Sequence, residues 1–109
     1  MEKEAFRRLV LRAIKKLPKI FRTKMENIEI VIEDEPIPQK SLLGLYQGVP
    51  LKHRGSWYGN VLPDKITIFQ LNIERQCRND AEIETLVNDV LIHEIGHYFG
   101  FDEEDLRNI

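Results

Sequence analysis

The sequence predicts an α+β domain, and three patterns lead to this prediction. Apolar residues recur at helical spacing from Phe6 to Leu17. Two runs in the middle of the chain, Asn27–Glu33 and Lys65–Leu71, are rich in β-branched residues, as β-strands are. Residues 81–99 repeat the helical spacing of apolar residues over a longer stretch. We therefore expect helices before and after a group of strands.

Length and composition limit the class of protein. The chain has 109 residues, 42% of them hydrophobic, which suffices for one core, so residues 1–109 are expected to form a single domain. The net charge of −2 lacks the basic surplus of duplex nucleic-acid binders, and no nucleic-acid partner is expected. We also expect a cytoplasmic location without a membrane partner. Residues 1–8 do not resemble a signal peptide, no apolar run approaches roughly 18 residues, and Cys77 is the single cysteine.

The first helix is predicted by six apolar residues at helical spacing: Phe6, Leu9, Val10, Ala13, Ile14 and Leu17. Pro18 should end this helix, because its ring does not fit a helix interior. The basic residues of the same segment predict a solvated face: Arg7, Arg8, Arg12, Lys15 and Lys16. A surface for a partner or for nucleic acid is the less favoured interpretation of this face.

The strands are predicted from alternation and from the residues that interrupt it. Three isoleucines alternate along Asn27–Glu33, which indicates a strand with one buried face. Leu42–Val49 is predicted as a second extended piece, interrupted by two glycines. Residues 50–63 are expected to form a long loop or a loose hairpin, and long loops are often functional. After Asn27–Glu33, the most convincing strand is Lys65–Leu71, which is rich in β-branched and aromatic residues.

The last helix should run from about Ala81 to Phe99. Asn79 is a favoured N-cap residue, and Glu82 follows it by three positions, as in a capping box. Gly100 is expected at the end of the helix, because glycine readily adopts the left-handed conformation found there. Apolar residues cover most of the circumference of this helix, so it should lie centrally in the fold.

The last helix carries an H-E-x-x-H pattern at residues 93–97. Side chains at positions i and i+4 lie on one face of a helix, so His93 and His97 can bind the same zinc ion. Glu94 can then act as the general base on a zinc-bound water, and it is the candidate catalytic residue. The histidines share the face of Val90, which should point into the protein. Two buried histidines without a metal are the alternative.

Catalytic zinc has three protein ligands, and water takes the fourth position. Gly100 would allow the chain to turn back towards the metal after His97. Glu103 occupies the tenth position after His93, where the related H-E-x-x-H-x-x-G-x-x-H frame has its third ligand. We therefore expect zinc to be held by His93, His97 and Glu103. The alternatives for the third ligand, in decreasing order, are Asp102 or Glu104, and then His53 or Cys77.

Four segments of the chain resemble the small bacterial zincin-like metallopeptidase domains, also called minimal zincins. These segments are residues 27–36, 43–51, 62–69 and 93–101. The resemblance implies an α+β zincin-like fold, in which a small mixed sheet packs against an N-terminal helix and a C-terminal active-site helix. It also implies zinc bound by His93 and His97, with Glu94 catalytic. The third ligand of the family is usually an aspartate at the tenth position, where this chain has Glu103.

The motif and the resemblance together favour a zinc-dependent peptidase whose partner is a peptide or protein substrate. The substrate is expected to add as a strand along an exposed segment, Ile66–Leu71. Tyr46, Arg54 and Tyr58 are candidates for substrate contacts, although packing roles are favoured for each. Two further classes stay open: a non-catalytic zinc-stabilised interaction domain and, less favoured, a metal-dependent ribonuclease.

Overall fold

A computed structural model describes residues 1–24, 28–36, 41–48, 64–102 and 104 of the chain. The α+β class predicted from the sequence is confirmed. Over the described residues the elements are, in chain order, α1 (Lys3–Lys15), α2 (Lys19–Lys24), β1 (Ile28–Glu33), β2 (Gly44–Gln47), β3 (Asp64–Phe69), α3 (Gln70–Arg75) and α4 (Asp80–Phe99). None of these helices combines the length and the apolar character that crossing a membrane requires.

The described strands form one mixed sheet in the order β1-β3-β2. Strand β3 lies in the middle, parallel to β1 along its whole length and antiparallel to β2. Ile66 and Ile68 of β3 are fully buried, as expected for a strand with a neighbour on each side. The expectation that a substrate strand adds to Ile66–Leu71 is therefore wrong, because both edges of β3 are already paired.

Strand β2 lies at one edge of the described sheet, and its hydrogen-bonding pattern fixes which groups face outward. The Phe69 N–H donates to the Leu43 carbonyl at 3.0 Å, so these two residues form a hydrogen-bonded pair. Bonded and non-bonded pairs alternate along an antiparallel ladder. Leu45 consequently bonds to β3, whereas the N–H and C=O groups of Gly44 and Tyr46 point away from it. These outward groups lie on the edge that β3 does not cover.

The core lies between the sheet and the two long helices. Helix α1 packs against α4, and α4 packs in turn against β2, β3 and α3. Phe6 of α1 and Val87 and Leu91 of α4 are completely buried there. Helix α4 is central, as predicted, but not enclosed on all sides, since Ile92 is 51% exposed.

Both ends of α4 are closed by the predicted residues. The Asn79 side chain accepts a hydrogen bond from the Glu82 N–H at 2.9 Å, which confirms it as the N-cap. At the other end, Gly100 has a φ of 101°, a conformation that other residues rarely adopt. The N–H groups of Gly100 and Phe101 donate to the carbonyls of His97 and Gly96, forming a Schellman motif. The chain thus turns sharply after the helix.

The structure differs from the prediction near two chain segments. The first helical segment ends before Pro18 as predicted, but a short second helix, α2, follows it. The predicted strand Lys65–Leu71 ends at Phe69, and Gln70 and Leu71 begin helix α3. The loop expected over residues 50–63 lies outside the described residues.

Candidate metal centre

Helix α4 brings the motif residues together on the side that faces β2. Ligand atoms of His93, Glu94 and His97 all lie within 4.8 Å of one another. The two imidazole rings are 4.9 Å apart between centroids and nearly perpendicular, at 80°. One metal ion between the rings could therefore contact both histidines. This proximity is the one expected for positions i and i+4 of a helix.

The cluster lies in a cleft of about 850 Å³ between the end of α4 and strand β2. Gly44, Tyr46 and Val90 are among its lining residues. Glu94 is buried, with 8% of its surface exposed, whereas both histidines are only partly buried. The histidines are thus accessible from the cleft, and the acid beside them is largely shielded from water.

Glu94 is held by the main chain of the edge strand. Its Oε1 atom accepts a hydrogen bond from the Tyr46 N–H at 2.9 Å. This N–H is one of the groups that point away from β3. A buried carboxylate is costly unless it accepts hydrogen bonds, and hydrogen bonds to a charged group are strong. The bond from Tyr46 therefore both stabilises and orients Glu94.

His97 has a main-chain neighbour of its own. Its Nδ1 atom lies 3.0 Å from the Phe101 carbonyl oxygen, which the turn at Gly100 brings back towards the helix. A protonated Nδ1 donates to this carbonyl and leaves Nε2 as the nitrogen for a metal. Such a second contact is common for metal-binding histidines, because it fixes the ring and its tautomer.

The Tyr46 side chain contacts residues outside the motif. Its hydroxyl donates to the carboxylate of Asp64, which is 2% exposed, and its ring meets the Tyr98 ring edge-on at 6.1 Å between centroids. These contacts agree with the packing role favoured from the sequence. No sequence signal marks the contribution that Tyr46 does make at the site, because its main-chain N–H makes the contact. Arg54 and Tyr58 lie outside the described residues.

The third zinc ligand stays a prediction. Glu103 and His53 lie outside the described residues. Asp102 lines the cleft and Glu104 is exposed. Over the described parts of the chain, only His93, Glu94 and His97 form a cluster of three possible ligands.

Cys77, the remaining alternative, lines a second cavity of about 470 Å³ with Glu82 and Leu86. Burial raises the pKa of the Cys77 thiol, and the nearby carboxylates of Glu82 and Glu74 raise it further. Metals bind the thiolate and not the thiol, so this environment disfavours Cys77 as a ligand.

The chain belongs to the zincin-like metallopeptidase family, whose model matches residues 25–109. This match confirms the resemblance drawn from the four sequence segments. The fold is also similar to that of a conserved hypothetical protein from Thermus thermophilus, with a TM-score of 0.62 and 23% sequence identity. That similarity covers 98% of each chain and concerns the fold alone. The comparison with curated proteins found no match.

The donor set fits a metal ion. Two imidazoles and a carboxylate are ligands that zinc and other divalent transition metals accept. Zincin-like domains usually bind a metal. The partial burial of the histidines leaves the shared space between them open to the cleft. His93 and His97 could hold the ion, and Glu94 would lie beside it.

Proposed function

We propose that this protein is a zinc-dependent peptidase, with zinc held by His93, His97 and Glu103 and with Glu94 as the general base. The observation that carries the proposal is the buried Glu94 carboxylate beside two cleft-facing histidines on one helix. Membership of the zincin-like metallopeptidase family supports the same reaction class. Bound zinc would polarise the scissile carbonyl and lower the pKa of a water towards about 7.

Glu94 would move the proton in this reaction. Its carboxylate would accept a proton from the attacking water and deliver it to the leaving amine as the peptide bond breaks. The hydrogen bond from the Tyr46 N–H supports this role, because it holds the carboxylate in one orientation beside the two histidines. His97 would be held in the correct tautomer by the Phe101 carbonyl.

The substrate would lie along β2. The sequence predicts it along β3, but both edges of that strand are paired. Extended peptides bind exposed sheet edges through main-chain hydrogen bonds. The outer edge of β2 carries the N–H and C=O of Gly44, and this residue lines the same cleft as both histidines. A peptide added there would pass beside the metal site.

A non-catalytic zinc-stabilised domain is the second candidate. The observation in its favour is that Glu94 already has a structural contact with β2, which would link α4 to the sheet without any turnover. The two candidates differ in what the Glu94→Gln variant should do, because only a peptidase needs the carboxylate for proton transfer.

The test compares three forms of the protein. Wild type should bind about one zinc per chain and cleave unfolded casein or a peptide library. Glu94→Gln should keep the zinc and lose at least about 1,000-fold in cleavage rate, since proton transfer and water activation both need the carboxylate. A His93→Ala/His97→Ala variant should lose both properties. Cleavage that persists in Glu94→Gln contradicts the assigned base, and a wild type that binds zinc without cleaving supports the structural domain.

The third ligand has its own test. Glu103→Ala should weaken zinc binding by at least about 100-fold, because it removes one of three protein ligands. Asp102→Ala is the matched control and should change the affinity much less. The reverse ranking, measured with a competing zinc chelator, would assign the ligand to Asp102.

A further inference from the structure

We propose that strand β2 positions the general base: the Tyr46 N–H is the donor that orients Glu94, and Gly44 is the residue that lets β2 approach it. This inference rests on the proposed peptidase function and adds two positioning residues to that site. Neither residue is marked by its type in the sequence, since one acts through its main chain and the other through the lack of a side chain.

The first step of the argument is the direction of the Tyr46 N–H. The Phe69–Leu43 bond sets the alternation along β2, and Tyr46 falls at a position where the N–H points away from β3. The outward N–H meets Glu94 Oε1 at 2.9 Å. On an edge strand such a group would otherwise face solvent or a substrate. Here it is committed to the candidate catalytic carboxylate.

The second step is the space at Gly44. A Cβ atom on this residue would lie 2.7 Å from Val90 Cγ1 and 3.1 Å from Glu94 Cγ. Carbon atoms in contact are normally about 3.5–4.0 Å apart, so a larger residue would displace the Val90 and Glu94 side chains or the strand itself. Gly44 is not among the glycines with positive φ, so the requirement is one of space and not of backbone conformation. The missing side chain thus allows β2 to lie this close to α4.

The third step is the anchoring of β2 on each side of Gly44. The Asn72 side chain donates to the Leu42 carbonyl at 2.7 Å, which holds the start of the strand. Beyond Gly44, the Tyr46 hydroxyl is held by Asp64 and its ring by Tyr98. These contacts restrain the chain on both sides of Gly44. The N–H of Tyr46 is therefore a preorganised donor of the kind that fixes catalytic groups in one rotamer.

The first experiment removes the Tyr46 N–H and keeps the Tyr46 side chain. Tyrosine is replaced at position 46 by its α-hydroxy acid through nonsense suppression, so that an ester replaces one amide and the side chain is kept. We expect kcat to fall at least about tenfold, because Glu94 loses its fixed orientation. KM and zinc affinity should change by less than about threefold, well below the loss expected from a damaged metal site.

The matched control is the same ester at Leu45, whose N–H faces β3. This change removes a hydrogen bond of the sheet, so it should lower the free energy of unfolding, but kcat should change by less than about threefold. A merely structural role for the Tyr46 N–H predicts equal losses of kcat for the two esters. That result, or a loss of zinc affinity that matches the loss of kcat, overturns the proposal.

The second experiment does not require turnover. The amide proton shift of Tyr46 is measured by NMR in wild type, Glu94→Ala, Gly44→Ala, Val90→Ala and the Gly44→Ala/Val90→Ala double variant. Gly44→Ala should move the signal in the same direction as Glu94→Ala. Truncation of Val90 removes the Cγ1 atom nearest to the new methyl group, so the double variant should recover part of the wild-type shift. An unchanged Tyr46 signal in Glu94→Ala or in Gly44→Ala overturns the proposal.

The two proposals fail in different ways. A wild type that binds zinc but cleaves no peptide contradicts the peptidase, while the Tyr46 shifts still decide whether β2 holds Glu94. If Gly44→Ala does not fold, the positioning role is tested by the Tyr46 shift in Glu94→Ala and by the esters at Tyr46 and Leu45. If wild type cleaves peptides but the Tyr46 amide shift is the same in Glu94→Ala and Gly44→Ala as in wild type, the peptidase is supported and the positioning role is rejected.

Discussion

The surroundings of Cys77 keep its thiol protonated. Burial raises its pKa first, and the carboxylates of Glu82 and Glu74 add to the shift. Alkylation by iodoacetamide should therefore have a higher pH midpoint in the folded protein than in the urea-unfolded chain. The sign follows because a raised pKa leaves less thiolate at any given pH.

High salt separates the two causes of the Cys77 shift. Salt screens the carboxylates but does not remove burial, so 1 M NaCl should lower the folded midpoint only in part. Equal midpoints in the folded and unfolded chains would contradict the shift. The same raised pKa means that folding loses stability as the pH rises from the pKa of the unfolded thiol through the higher pKa of the folded thiol.

At the level of single residues, the sequence predicted which side chains lie together and missed main-chain contacts. His93, Glu94 and His97 were identifiable because helical spacing places them on one face. The Tyr46 N–H was not, because every residue except proline carries one and the sequence does not reveal which amide faces Glu94. The Phe101 carbonyl at His97 is a contact of the same type.

At the level of elements, helix α4 offers a matched pair of substitutions at its two ends. Asn79→Ala removes the N-cap and should cost about 1 kcal/mol of stability. Gly100→Ala places a side chain at a φ of 101° and should cost a similar amount, about 1–2 kcal/mol. Only Gly100→Ala should also weaken zinc binding, by about tenfold, because it disturbs the Phe101 carbonyl beside His97.

Chemical unfolding and zinc titration of the two variants check this contrast. A stability loss without any change in zinc affinity for Gly100→Ala would show that the turn after α4 does not support His97. A loss of zinc affinity in Asn79→Ala would indicate a general effect of helix stability. The Asn79 cap lies at the opposite end of α4 from the histidines, so we expect no direct effect there.

The boundary between β3 and α3 shows where sequence patterns stop being informative. The β-branched and aromatic residues of Lys65–Leu71 predict a strand that continues to Leu71. In the structure the Leu71 N–H donates to the Asp34 carbonyl, and Asn72 bonds to the Leu42 carbonyl. These contacts join residues that are distant in sequence, and they stabilise a helical turn that local propensity does not predict.

At the level of the whole molecule, zinc should act as a stabilising ligand. Free zinc at about 100 times its Kd would add about 2.7 kcal/mol to the free energy of unfolding. For a chain of this size that corresponds to a rise of roughly 10–20 °C in Tm. Differential scanning fluorimetry with zinc and with a chelator measures the effect. The His93→Ala/His97→Ala variant should show no rise, and an equal rise there would place the zinc elsewhere.

The sequence predicted the α+β class of the molecule but not the order of its strands. Alternation along Ile28–Glu33 identifies a buried face, and it does not identify the neighbouring strand. Strand β1 pairs with β3, so that Ile28 lies opposite Asp64. Strand β2 lies between these two strands in the sequence but not in the sheet. Such long-range pairing depends on tertiary packing, which explains why the sequence does not show that both edges of β3 are paired.

The central position of β3 also determines when the sheet can form during synthesis. Strands β1 and β2 leave the ribosome first, and in the described sheet neither has a partner until β3 follows. Helix α4 emerges later still, so Glu94 meets the Tyr46 amide only after the sheet has closed. A nascent chain stalled before residue 64 therefore carries β1 and β2 without the strand that joins them, and it lacks the three clustered residues of α4.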